Sequence, residues 1–282
     1  MIKNIKNHLS GAMKPGKGKI IRRTSHIKLF LVPVLLVILI LPGCKKRKDN
    51  CSHWKREDYG AFIRTDTLKK EINLVFTGHE FADGAETIQN TLRKHGIKAS
   101  FFFTGDFYRN PDFSQAITNL VKDGHYLGAH SDKHLLYCTW ENRDSTLVSR
   151  EQFMDDLENN YSEMAKFGIS RKDTKYFLPP YEWYNRKVSD WVSREGLYLV
   201  NFSQGTSSNQ DWTYPELGKS FISSDSIFVR IMRYENKSGL NGFILLTHIG
   251  TDPRRTDKFY CRLDELILNL KSKGYSFRRI NQ

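Results

Sequence analysis

The sequence has little cysteine: four residues in 282, at positions 44, 51, 138 and 261. With Cys44 set aside for the reason given below, an odd number remains, which excludes a complete disulfide framework and allows one bridge at most. It also lacks an apolar run long enough to span a bilayer, for which about 20 residues are needed. The longest uncharged stretch of that kind, Leu29 to Leu41, has thirteen. Acidic residues are nearly missing from the first 50 positions, where Asp49 stands against twelve Lys and Arg, whereas the other 232 residues hold 32 basic and 30 acidic side chains. The formal charge of +13 therefore belongs to a leader, and no nucleic-acid partner is expected. Internal repeats and low-complexity blocks are absent too. With 39% hydrophobic residues the chain is too apolar-rich to be a disordered tail, and it is long enough for one large domain with a full core.

What the leader does contain is a pattern. Lys19, Arg22, Arg23 and Lys28 precede the 29–41 run, and Pro42, Gly43 and the basic residues 45–48 cut it short. That is the charged region and apolar core of a signal peptide. Leu41-Pro42-Gly43-Cys44 resembles the lipobox of bacterial lipoproteins, in which the cysteine is diacylated and becomes the mature N-terminus. The resemblance implies a signal peptide over 1–43 and lipidation at Cys44. It also implies attachment to the cell envelope of a Gram-negative bacterium, at the outer membrane or its periplasmic face. Residues 45–70 are charged and polar and read as a tether.

From Ile72 onward short apolar runs alternate with segments of helical spacing. Strands are expected at 72–77, 98–105, 125–130, 175–178, 197–202, 243–248 and 275–280, with helices at 86–96, 112–123, 150–167, 186–195, 224–234 and 260–273. Seven strands with helices between them fit either a β/α barrel or an open doubly wound sheet, since periodicity does not register closure.

In βα folds the site lies at the carboxyl ends of the strands. Here those ends carry Gly78-His79-Glu80-Phe81-Ala82-Asp83-Gly84, then His130-Ser131-Asp132-Lys133-His134, then Pro179-Pro180-Tyr181-Glu182-Trp183, and finally His248. His130 and His134 are four apart; on one helical turn both imidazoles share a face and suit a divalent cation, Zn²⁺ first, with Co, Ni or Mn as alternatives.

At this point a family resemblance is legible. The chain from about 72 to 280 resembles the polysaccharide deacetylases, the NodB-homology or carbohydrate esterase family 4 domain. The motifs that carry it are HSDKH (130–134), KASFFFTG (98–105), FLPPYEWYN (177–185), Asp211-Trp212 and ILLTH (244–248). The resemblance implies a distorted (β/α)7 barrel over 71–282. It implies a metal held by an aspartate and two histidines, and a metal-activated water that attacks the N- or O-acetyl carbonyl of a glycan.

Two departures bear on the chemistry. The family's first strand ends in Asp-Asp; aligning on Phe76 puts Thr77 and Gly78 there, and aligning on Asp83-Gly84 puts Ala82 at the base position. The family's arginine before Pro-Pro-Tyr is Leu178, consistent with the missing aspartate, because a guanidinium without its carboxylate is a costly unpaired charge. The expected replacement set has His79 or Asp83 joining His130 and His134 as metal ligands. Glu80 or Asp83 acts as base, His248 protonates the leaving group, and Leu246 walls the acetyl-methyl pocket. By resemblance, backbone N–H near Tyr181 binds the oxyanion, and Trp183 and Trp212, with Tyr184 and Tyr214, are platform candidates for a sugar ring. Asp83 serves equally well as a helix-start residue. Arg254 and Arg255 read as a solvated loop that could meet an acidic glycan. A glycan-binding protein that has lost catalysis, and a glycoside hydrolase using Glu80 and Glu182, are the other readings.

Overall fold

The computed structural model describes residues 53–282. The expected signal peptide, the lipobox with Cys44, Cys51 and the first part of the tether lie outside the described residues. No described helix is long and apolar enough to cross a membrane, and Cys138 and Cys261 are free thiols.

The scaffold is a curled sheet wrapped by helices. Its strands are β1 (Lys55–Arg56), β2 (Phe62–Arg64), β3 (Glu71–Gly78), β4 (Ser100–Phe103), β5 (Tyr126–Ala129), β6 (Tyr176–Phe177), β7 (Tyr198–Leu199), β8 (Phe243–His248) and β9 (Ser276–Arg278). The order is β1-β2-β8-β3-β4-β5-β6-β7, with β9 paired to β3. β3 through β9 pair in parallel, as βα alternation demands, and β3 is central: Ile72–Thr77 pair with β8 and Val75–Gly78 with β4. The helices are α1 (Ala85–His95), α2 (Gly105–Arg109), α3 (Ser114–Lys122), α4 (Arg150–Ala165), α5 (Arg186–Arg194), α6 (Ser224–Ser238) and α7 (Leu263–Ser272). Local signals set their ends. Ser149 and Gln152 form a reciprocal capping box on α4, Asn185 caps α5, and Gly96 takes the left-handed conformation that closes α1.

Period-two alternation sorts the strands into two apolar layers. Phe76, Phe101 and Phe103 face the helices within the larger core, whereas Val75, Phe102, Tyr126, Leu178, Ile244 and Leu246 fill the inside of the curl. That inner plug leaves only the strand ends above it free to carry polar groups.

The expected tether is corrected over its described part. Residues 55–64 form a hairpin whose Arg64 pairs with Phe243 of β8 in antiparallel fashion, while Phe62 bridges to Val200 beyond β7. β2 thus stands between the two ends of the sheet. Phe62 is buried and packs against Trp54, which also stacks on Tyr176. The short α2, capped by Thr104, is likewise absent from the sequence reading.

Candidate functional site

A cavity of about 890 Å³ opens over the carboxyl ends of the strands. Its floor is formed by Thr77, His130, His134, Glu182 and His248, and its rim by Glu80, Trp140, Tyr181, Trp212, Tyr214, Lys219 and Arg254.

His130 ends β5. Its Nδ1–H donates to the Leu178 carbonyl at 2.8 Å, which leaves Nε2 as the free nitrogen, and its backbone N–H donates to Asn160 Oδ1. The HSDKH segment is not a helical turn, as the four-residue spacing suggested. It is an irregular loop with Ser131 and His134 at positive φ (72° and 54°), held from below by α4, where the Asp156 carboxylate accepts the N–H groups of Asp132 and Lys133. The loop brings the rings of His130 and His134 to 5.2 Å between centroids, and His79 stacks on His134 at 4.7 Å with planes 15° apart. Burial pushes His130 down to about 3; burial together with the neighbouring imidazoles pushes His134 to about 2. Both are therefore neutral at pH 7.

Three adjacent imidazoles, two of them neutral by burial, are right in kind for zinc or a similar borderline cation. The backbone anchor on His130 Nδ1 is the usual support of a ligating histidine. As placed, no three His, Cys, Asp or Glu side chains converge among the described residues. The physical reason is that a nitrogen lone pair lies in its ring plane, and two nearly parallel facing rings, His79 and His134, do not aim at one point.

His248 ends β8 and is half-buried. Its Nδ1 lies 2.6 Å from Asp211 Oδ1, while Asp211 Oδ2 accepts the backbone N–H of His248 itself, so the buried carboxylate is fully engaged by one residue. Burial disfavours the imidazolium, but the Asp211 charge and hydrogen bond, with Glu182 nearby, hold its pKa above the ordinary value. Glu182 reaches the same floor from the Pro-Pro-Tyr segment. Burial pushes it up to about 7, with His248 pulling it down and Asp211 pushing further up, and Asn209 hydrogen-bonds it. Tyr181 and Glu182 are consecutive non-glycine residues at φ 58° and 54°, a conformation costing on the order of 1 kcal/mol each. The turn is fixed by the Glu182 N–H donating to the Pro179 carbonyl and by Asn201 Nδ2 donating to the Glu182 carbonyl.

Several expected roles move. Asp83 does not face the cavity: its carboxylate accepts the Thr251 N–H and the Tyr260 hydroxyl and pairs with Lys258 at 2.8 Å. It is a clamp on the β8 loop, neither base nor ligand here. Leu246 lies in the inner apolar plug, opposite Val75, and does not line this cavity. Trp183 is a prop: its Nε1–H donates to the Thr139 carbonyl, and its ring stacks on Trp140 at 5.5 Å. Tyr184, which is fully buried, supports the N-terminal hairpin by accepting the Ala61 N–H. Glu80 sits on the rim, well exposed, 4.0 Å from His79 Nε2. Arg255 is buried outright, donating to the carbonyls of Thr213, Ile222 and Asp257 and to the Ser224 hydroxyl; Arg254 pairs with Asp252 and lies 3.9 Å over the Tyr214 ring. Tyr181 and Trp212 do line the cavity, exposed as platforms should be. Trp140 joins them from a segment with no sequence signal, and Glu182, expected as a loop carboxylate or as one of a glycoside hydrolase pair with Glu80, is part of the floor.

The polysaccharide deacetylase family model matches residues 64–200. The peptidoglycan-N-acetylmuramic acid deacetylase of Bacillus subtilis is 27% identical over 227 residues, 80% of this chain and 75% of that protein. Its solved structure, a family 4 carbohydrate esterase, aligns with a TM-score of 0.61 at 27% identity, across 79% of this chain and 84% of that one. Residues 64–200 are a polysaccharide deacetylase domain. Two further solved structures share the fold. A family 4 pseudoenzyme from Bacillus anthracis aligns at TM-score 0.62 and 20% identity, covering 80% and 69% of the two chains. A family 4 acetyl xylan esterase from Clostridium thermocellum, in complex with cobalt, aligns at 0.58 and 22%, covering 75% and 88%.

Against the polysaccharide deacetylase pattern the chain is divergent where β3 ends. Thr77 is in register with His248 and its hydroxyl is buried without a hydrogen-bond partner. A Cβ on Gly78 would lie 2.8 Å from Ile249 and Phe103 and 2.9 Å from Phe107. Aromatic packing has taken the volume that a side chain at 78 would need. Leu178 is fully buried in the inner plug, so no cation is left stranded by the missing carboxylate pair.

Proposed function

We propose that this chain is a carbohydrate deacetylase, a hydrolase that removes acetyl groups from an acetylated cell-envelope glycan of the peptidoglycan type. The observation that carries the reading is the Asp211–His248 dyad on the floor of a strand-end cavity rimmed by Trp140, Tyr181, Trp212 and Tyr214. The rim offers flat apolar faces to sugar rings. The floor offers a histidine held ready to protonate a leaving amine or alcohol. The names of the relatives support the same reading. His79, His130 and His134 would hold a divalent cation once His79 turns out of its stack, and such an ion would supply Lewis acidity and a more acidic water. The leader with Cys44 would tether the domain to the envelope membrane.

The test is acetate release by the full-length chain from peptidoglycan fragments, acetylated chitooligosaccharides and acetylxylan, with elemental analysis of bound metal in parallel. Release is expected to fall at least about 100-fold in His248→Ala, as for loss of a general acid. Bound metal is expected to be lost in His134→Ala. A second reading, a glycan-binding protein without catalysis, draws on Thr77 and on the crowding at Gly78. Glycan affinity with no acetate release from any of the three substrates would establish it instead.

A further inference from the structure

The deacetylase reading leaves one role unfilled. Asp83 is committed to the β8 loop, and Glu80 is exposed on the rim, so neither candidate for the base sits at the floor beside the dyad. One carboxylate does. Glu182 lines the floor, held by Asn209, and is with Asp211 one of the two acids whose charge acts on His248. The backbone that delivers it is unusual: two successive non-glycine residues in the left-handed region, pinned by Pro179 and Asn201. Strain of that kind persists only where the surroundings enforce it, and it concentrates at reacting centres. The opposite wall explains why a carboxylate is needed from this direction, since Thr77 carries none and Gly78 has no room for one.

We propose that Glu182 is the catalytic base of this chain, supplied from the Pro-Pro-Tyr turn in place of the missing carboxylates of β3. The proposal rests on the deacetylase reading of the same cavity. In the step it describes, the Glu182 carboxylate takes one proton from a water as that oxygen bonds to the acetyl carbon and the carbonyl electrons move to its oxygen. The carbon–nitrogen or carbon–oxygen bond to the sugar then breaks as protonated His248 gives its Nε2 proton to the leaving atom. Acetic acid and the free amine or hydroxyl result, and the proton on Glu182 returns to His248 through solvent. Burial sets Glu182 near 7, where a base is half available at neutral pH without being too weak to accept a proton.

The experiment compares the full-length chain with Glu182→Gln, Glu182→Asp and Glu80→Gln, using acetate release from the same three substrates over pH 5 to 9. Glutamine keeps the shape of the side chain and the turn. The expected result is a fall of kcat by about 100-fold or more in Glu182→Gln with KM changed only a few-fold, and partial activity in Glu182→Asp. The parent chain should lose kcat on the acid side through about 7, and that limb should be missing from the residual rate of Glu182→Gln. An active parent with Glu182→Gln at near-parental kcat overturns the proposal alone. So does loss of turnover in Glu80→Gln with Glu182→Gln intact, or a parental profile flat down to pH 5, a readout that needs no variant. A parent that releases no acetate overturns the proposal together with the deacetylase reading.

Discussion

A carboxylate placed where Glu182 sits gives up more in hydration than the His248 charge returns, and burial raises its pKa to about 7 against an ordinary 4.5. Because the folded state binds the carboxyl proton more tightly than the unfolded chain, the group's stabilising contribution is complete below about 4.5 and is lost as pH rises through about 7. Glu182→Gln should therefore gain stability relative to the parent as pH is raised. The gap should widen by about 3 kcal/mol between pH 4 and pH 8, read from urea denaturation at each pH. A gap that does not change with pH would mean that Glu182 titrates like a solvent carboxylate. At this scale the histidines were legible because their type and their strand-end position agree. Glu182 was legible only as a strand-end carboxylate to be paired with Glu80, and Trp140 not at all, because what makes them matter is long-range: the fold of the 179–183 turn over His248, and the stacking of Trp140 on Trp183. Asp83 was legible only as an ambiguity, and its hydrogen bonds to Thr251 and Tyr260 decide it.

At the scale of elements, β3 shows how packing constrains chemistry. The strand itself follows from its apolar run, and its alternation predicts that Thr77 faces the cavity while Gly78 faces the helices. What the alternation does not reveal is how full the outer layer is. Phe103, Phe107 and Ile249 close over Gly78, so Gly78→Asp should not recreate a ligand. It should cost roughly 2–5 kcal/mol through overpacking and a buried carboxylate, seen as a large fall in Tm with no gain in bound metal. A stable Gly78→Asp protein that binds metal more tightly would show that the outer layer yields. The HSDKH loop teaches the complementary lesson. Its ligand-type residues were legible from spacing, but the spacing pointed to a helical turn. The loop instead takes its shape from Asp156 and Asn160, two side chains one turn apart on α4 that satisfy its backbone donors.

For the whole molecule, the alternation of strands and helices was legible almost throughout from residue 71 on, because β3 to β8 are largely apolar and α4, α5 and α6 carry side-chain caps. How the sheet's two ends are joined was not. It depends on Phe62 and Arg64, a few residues inside a polar stretch whose partners, Val200 and Phe243, are far away in sequence. A chain starting at residue 71 should therefore expose the edge of β8 and the inner plug beside Val200. It is expected to aggregate or to unfold without a cooperative transition, whereas one starting at residue 53 should melt cooperatively; gel filtration and thermal melting distinguish them. A well-behaved 71–282 protein would show the hairpin to be dispensable. The buried Arg255 has an effect of the same reach. By tying Thr213 and Ile222 to Ser224 and Asp257, it makes the wall that carries Trp212 and Tyr214 a fixed surface rather than a flap. The configurational entropy of that wall is lost when the chain folds, not when a sugar arrives, so the heat capacity change of glycan binding should reflect ring faces leaving water and little ordering of loops.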